Sequence, residues 1–193
     1  MAWPGLLSTY TFSNRSETQA WGRALGAHLI AGDVISLVGD LGAGKTTLTQ
    51  SIARGMGISA SVTSPTFALA QEYPGGVPLF HFDPYRLDSV EAFAELGFEE
   101  YLERGGAIGV EWGDKIESLL PEERLTLTLS APAEASGSET AHADSSVPGG
   151  GAVGDPDDAP RLLTASAVGN RYVALLSHLN GLFAGAARHG MNR

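Results

Sequence analysis

The sequence predicts an α/β fold of three layers, a mixed and partly parallel central sheet flanked by helices. Two observations carry that expectation. Short apolar runs of strand type, "VISLVG", "PLFHFD" and "AIGVEW" among them, alternate with segments of helical periodicity, the pattern of parallel strands covered on both faces. One of those strands, moreover, passes directly into a helix through the glycine-rich turn "GDLGAGKTT".

The elements follow in order. In "SETQAWGRALGAHL", Ser16 and Gln19 have the spacing of a capping box, and Trp21, Leu25 and Leu29 recur at helical intervals. Gly32 and Asp33 are expected to end this helix, and "VISLVG" is the next strand. A helix opens near Lys45, and strand-type runs return in "FALAQEY" and "PLFHFD". Helical "SVEAFAELGFEEYLERG" separates these from "AIGVEW" and "RLTLTLSA". Residues 131–160 hold six acidic residues, no Lys or Arg and few large apolar side chains, so they are expected to form a disordered insert. A strand in "RLLTASAVG" and a helix in "NRYVALLSHLNGLFAGAA" complete a single domain spanning 1–193.

Composition narrows the function. With 193 residues, 43% of them hydrophobic, the chain is long enough for one buried core. No run approaches the roughly 18 apolar residues of a membrane span, and "MAWPGLLSTYTF" lacks the order of a secretory signal. The expectation is a cytoplasmic protein with no membrane partner. Zero cysteines leave oxygen or imidazole as the ligands for any metal. A net charge of -10 argues against a direct grip on nucleic-acid backbone, which clustered Lys and Arg normally provide.

Gly39, Asp40, Leu41, Gly42, Ala43, Gly44, Lys45 and Thr46 match G-x-x-x-x-G-K-[ST] between a strand and a helix. Backbone N–H groups of such a loop surround phosphate oxygens, and the helix start adds its positive dipole end. Lys45 is placed to reach the outer phosphates and the Thr46 hydroxyl to hold Mg²⁺, with Thr47 following in the first turn. The fold class is therefore P-loop NTPase-like, with a nucleoside triphosphate and Mg²⁺ as the expected ligands.

Such a site also needs an acidic residue for the metal and a group to position a water. Asp83 closes "PLFHFD" and Glu111 closes "AIGVEW", and ligands of open α/β sheets sit at the carboxyl ends of strands. Both are candidate catalytic and metal residues beside Lys45 and Thr46. "TSPTF" offers hydroxyls in a loop, Trp112 follows Glu111, and Thr18 in the first helix is a candidate wall of the adenine pocket. His81 alternates with apolar neighbours and reads as a core or edge histidine; the remaining histidines have no metal-ligand spacing.

"GDLGAGKTTLTQ", "SPTFALAQEY", "HFDPYRL", "ELGFEEYL" and "VEWGDKI", in this order, closely resemble the bacterial TsaE (YjeE) family of tRNA threonylcarbamoyladenosine biosynthesis ATPases. The resemblance covers about Thr9 to Leu129 and, less distinctively, the final strand and helix from Arg161. It implies a small Mg-dependent ATPase acting with a TsaB–TsaD heterodimer, tRNA being the substrate of the whole complex. Carried over by motif, Lys45 binds phosphate, Thr46 binds Mg²⁺, and Asp83 and Glu111 serve metal and water. Ser64 to Thr66 then form a switch-like loop, and Trp112 lies near the nucleotide. The acidic insert departs from the compact family pattern.

Other functions compatible with the loop are a small-molecule kinase and a nucleotide-sensing module that scarcely hydrolyses ATP. A kinase normally closes an arginine-bearing lid over the phosphates, whereas the ten arginines here are scattered singly. A GTPase normally carries N-K-x-D, which is absent.

Overall fold

The computed structural model describes residues 3–87, 89–131 and 159–190. Residues 132–158 of the acidic segment, expected to be disordered, lie outside the described residues. In chain order the elements are β1 (Gly5–Phe12), α1 (Arg15–Gly26), β2 (Val34–Val38), α2 (Lys45–Gly55), β3 (Ala70–Tyr73) and β4 (Leu79–Phe82). There follow α3 (Val90–Ala94), α4 (Phe98–Glu103), β5 (Ala107–Glu111), a 3-10 turn (Gly113–Leu119), β6 (Arg124–Ser130), β7 (Arg161–Val168), α5 (Asn170–Leu182) and β8 (Ala187–Gly190).

All eight strands join one sheet in the order β3-β4-β5-β2-β6-β7-β1-β8. The run β4-β5-β2-β6 is parallel, and every other pairing is antiparallel. The mixed, partly parallel sheet expected from the sequence is therefore present. The central strands β4 and β5 are buried at every residue, and β2 at all but its last, because helices cover both of their faces. On one face Leu37, Leu127 and Leu163 meet Trp21 of α1, Leu48 of α2 and Leu176 of α5. On the other, Val34, Phe82 and Val110 meet Phe93 of α3, Phe98 of α4 and Ile116 of the 3-10 turn. By contrast β6 and β7 alternate buried and half-buried residues, the signature of strands packed on one face only.

Local chemistry explains where the elements differ from the expectation. The first helix is capped by Asn14, whose side chain accepts from the Glu17 N–H at 3.0 Å, while the Glu17 carboxylate accepts from the Ser13 N–H at 2.8 Å. Two overlapping capping boxes compete here, and Asn14/Glu17 prevails over Ser16/Gln19 by satisfying donors on both sides of the helix start. The helix also stops at Gly26 rather than Gly32. The segment 89–105 forms two short helices instead of one, broken where Gly97 adopts a left-handed φ of 74°. No apolar run marks β1, because its inward face is Ser8, Tyr10 and Phe12. The polar atoms are satisfied by Asn180, which accepts from the Tyr10 hydroxyl at 2.5 Å and donates to Ser8 Oγ at 2.9 Å. The edge strand β8 likewise has no apolar run, and its pairing with β1 places it in the sheet.

Helices α1 and α2 touch through glycine. A Cβ on Gly26 would stand 2.0 Å from the Ile52 carbonyl oxygen, and one on Gly55 would stand 2.1 Å from that of Arg23. Backbone cannot yield as a side-chain tip can, so Gly26→Ala must push apart the helix that follows the phosphate loop. A loss of ~1–3 kcal/mol is expected in urea unfolding, the usual cost of overpacking. A stability equal to the parent's would show that the helices can separate freely.

Candidate active site

The adjacent parallel strands β4, β5 and β2 deliver their carboxyl ends side by side. After β2 the chain enters the loop 39–44. Gly39 has φ 142°, and a Cβ there would lie 2.4 Å from the Leu129 carbonyl oxygen, so only glycine fits. Gly44, left-handed at φ 99°, precedes α2 and supplies no side-chain cap. The first N–H groups of that helix receive no side-chain cap from Gly44, the arrangement in which a helix start can accept an anion.

Lys45 is 5% exposed. Its Nζ donates to the carbonyl oxygens of Gly39 at 2.6 Å and Asp40 at 2.8 Å and stands 3.5 Å from the centroid of the Trp112 ring. Burial pulls its pKa below the usual lysine value, against the opposing pull of Glu111 first and then Asp83, Asp114 and Asp40. It is a cation held by carbonyl dipoles and an aromatic face, a composition suited to taking on phosphate oxygens.

Glu111, 2% exposed, ends β5 with its two oxygens differently engaged. Oε2 accepts from Thr46 Oγ1 at 2.9 Å, and Oε1 accepts from His81 Nε2 at 3.0 Å and from Thr49 Oγ1 at 3.5 Å. Asp83, also 2% exposed, follows β4. Its Oδ2 accepts from the Ser64 hydroxyl and from Thr66 Oγ1 at 3.0 Å, and its Oδ1 accepts from the Tyr85 N–H at 3.0 Å. One buried carboxylate thereby holds the 64–66 loop against the strand end.

These groups surround a cleft of about 420 Å³ lined by Leu41, Gly42, Gly44, Lys45, Thr46, Thr47, Ser64, Thr66, Asp83, Tyr85, Glu111 and Trp112. The structure thus brings together nearly every residue expected from the motifs. Gly39 and Asp40 support the cleft through the carbonyls that hold Lys45, and Ala43 lies within the loop. Thr18 is the exception. It is 2% exposed inside α1, donates to the Asn14 carbonyl at 3.4 Å, and is not among the residues lining the cleft. Its place on the helix turns it toward the core, which removes the direct observation that would make it an adenine wall.

Two contributors escape sequence reasoning. Tyr85 packs against Trp112 with ring centroids 4.8 Å apart and the rings tilted by 33°, and Lys115 donates to the Tyr85 carbonyl at 2.6 Å. The position of Tyr85 two residues after Asp83 in "HFDPYRL" was the available signal. Arg161 is far away in sequence, yet a Cβ on Gly44 would lie 3.4 Å from its Nε. No local pattern announces that approach. Trp112 itself sits at φ 57°, an uncommon conformation for a bulky residue and one found where a site is over-determined by its surroundings.

The donor set fits Mg²⁺. Thr46, Glu111 and Asp83 offer oxygen alone, which suits a hard cation. Among the described residues no group of three or more His, Cys, Asp or Glu forms a metal cluster. One or two carboxylates completed by phosphate oxygens and water is the usual Mg²⁺ arrangement with nucleotides.

The family model described as "Threonylcarbamoyl adenosine biosynthesis protein TsaE" matches residues 12–139. The chain is 39% identical over 168 residues to the tRNA threonylcarbamoyladenosine biosynthesis protein TsaE of Bacillus subtilis, covering 86% of this chain and 90% of that protein. It is 37% identical to the Streptomyces coelicolor protein of the same name, covering 78% of this chain and 90% of the relative. The crystal structure of Bacillus subtilis YdiB superposes with a TM-score of 0.68 at 35% identity, over 92% of this chain and 97% of that one.

Proposed function

We propose, from the premise that the chain belongs to the TsaE family of threonylcarbamoyl adenosine biosynthesis proteins, that it binds and hydrolyses ATP for tRNA N6-threonylcarbamoyladenosine formation in concert with a TsaB–TsaD heterodimer. The observation that carries this reading is the 2.9 Å hydrogen bond between Thr46 and Glu111. It joins the phosphate loop to a buried carboxylate in the same cleft as Lys45.

In this reading the loop N–H groups and Lys45 bind and orient the phosphates. Thr46 and Glu111, with Asp83 beside them, would hold Mg²⁺, which when bound supplies neutralisation of charge on the phosphate oxygens. Glu111 is the acceptor that orients an attacking water, since it is acidic, buried and open to the cleft. Asp83 holds Ser64 and Thr66, so movement of that loop alters the same carboxylate that faces the ligand. Coupling of this kind suits an ATPase whose rate depends on a partner.

A kinase reading is less well supported, because no arginine is among the described residues lining the cleft and Arg161, which approaches Gly44, is a single side chain rather than an arginine-bearing lid. A sensor with little hydrolysis would use the same loop and the same Thr46–Glu111 pair, and measured turnover separates it from the ATPase. The acidic balance of the chain favours recognition of tRNA by the partners rather than by this component. Among the described residues no helix is long and apolar enough to cross a membrane.

Mg-dependent phosphate release by the purified chain, alone and during titration with a TsaB–TsaD heterodimer, tests the proposal. Slow turnover that rises and saturates with the heterodimer is expected. Turnover indifferent to the heterodimer would overturn the partnership, and absence of turnover in both conditions would overturn the ATPase.

A further inference from the structure

We propose that His81 is a positioning residue that fixes which oxygen of Glu111 faces the cleft. The inference rests on the ATPase reading above and assigns a role to a side chain that the mechanism has not used.

Strand alternation places the residue. Phe80 and Phe82 point to the α3/α4 face, where they join its apolar cluster; Leu79 and His81 point to the opposite face, where Leu79 packs with Ala53 of α2. His81 pairs across the parallel ladder with Gly109, two residues before Glu111. That neighbour has no side chain, and Glu111 projects on the same face as His81. The imidazole is 0% exposed and its Nε2 is 3.0 Å from Glu111 Oε1.

The second ring nitrogen is informative. Among the described residues Nδ1 has no hydrogen-bond partner, although buried polar atoms are normally paired. A carboxylate can only accept, so the bond to Glu111 requires a proton on Nε2, and Nδ1 is left unpaired. A residue filling space alone would carry no such unpaired atom, and an aliphatic side chain would serve the core better. What the histidine secures is the bond itself. Oε1 is held on the buried side by His81, with Thr49 at the outer limit of hydrogen bonding at 3.5 Å, while Oε2 stays beside Thr46. The imidazole therefore divides the carboxylate into a fixed oxygen and a working oxygen. Outer partners that orient a metal-binding carboxylate in this way contribute about 10–100-fold to metal affinity or activity.

The test compares the parent with His81→Leu, His81→Asn and His81→Gln. Glutamine can place its amide nitrogen at the reach of Nε2, asparagine is too short, and leucine has no donor. Mn²⁺ binding to the ADP-loaded protein is followed by electron paramagnetic resonance, alongside kcat with the TsaB–TsaD heterodimer and metal-free affinity for a fluorescent ADP analogue. For His81→Leu and His81→Asn, Mn²⁺ affinity and kcat are expected to fall about 10–100-fold. Metal-free ADP affinity is expected to hold, and His81→Gln to recover most of the loss. Should the leucine variant fail to fold, the asparagine and glutamine pair decides. Unchanged Mn²⁺ affinity in His81→Asn, failure of glutamine to do better than asparagine, or an equal fall in metal-free ADP affinity would each overturn the assignment. A parent protein that binds ADP but has no metal-dependent turnover would instead overturn the ATPase reading.

Discussion

Replacing Glu111 with glutamine is expected to reduce Mg-dependent ATP turnover by about 10²–10³-fold while leaving the protein folded and able to bind nucleotide. Glutamine has the size of glutamate, and its oxygen can accept from His81 Nε2 where Glu111 Oε1 now does at 3.0 Å. Its amide group then faces Thr46, whose hydroxyl can rotate to accept in place of the 2.9 Å bond it donates now. Packing and hydrogen bonding are thus largely preserved. The anionic oxygen that faces the cleft is lost, and with it both the attraction for a hard cation and the strongest acceptor for a water proton. The measurements are phosphate release with the TsaB–TsaD heterodimer at saturating ATP and binding of a fluorescent ADP analogue. Turnover within a few-fold of the parent would show that hydrolysis does not depend on this carboxylate, and Asp83 would then be the remaining buried acid in the cleft.

How much of this site was legible depended on whether the required geometry is local. The phosphate loop is contiguous, so Gly39, Gly44, Lys45 and Thr46 reveal themselves by spacing alone. Asp83 and Glu111 were legible as residues at strand ends. Their convergence, however, depends on β4, β5 and β2 being neighbours, a tertiary pairing that neither strand encodes separately. His81 shows the same limit from the other side. Alternation assigns it to one face of a strand, but only the packing of α2 and the register with Gly109 turn a core histidine into a partner of Glu111. At the sheet edge the signals fail for a physical reason. Ser8 is buried by virtue of its partner Asn180, 172 residues away in sequence, so β1 has no need of a wholly apolar face. Thr18 illustrates the opposite case, since its position near a helix start says nothing about which side of the helix meets the core, and the fold turns it inward.

Lys45→Met should separate function from stability. Nucleotide affinity is expected to fall roughly 10–150-fold, the range for losing a hydrogen bond made by a charged group, as measured with the fluorescent ADP analogue. Stability in urea is expected to stay level or rise near neutral pH. Lys45 is 5% exposed, and burial lowers its pKa from the usual 10.5 despite the surrounding carboxylates; the protonated side chain is therefore a cost to the folded protein before any ligand arrives. Methionine retains the apolar stem without that charge. The pH dependence has a definite sign. A lysine with a depressed folded pKa binds more protons when unfolded, so its penalty is full below the folded value and is relieved as pH rises from there toward 10.5. The stability advantage of Lys45→Met over the parent should accordingly shrink across that window. A variant markedly less stable than the parent at neutral pH would mean that the bonds from Nζ to Gly39 and Asp40 outweigh burial, making the lysine a structural tie for the loop.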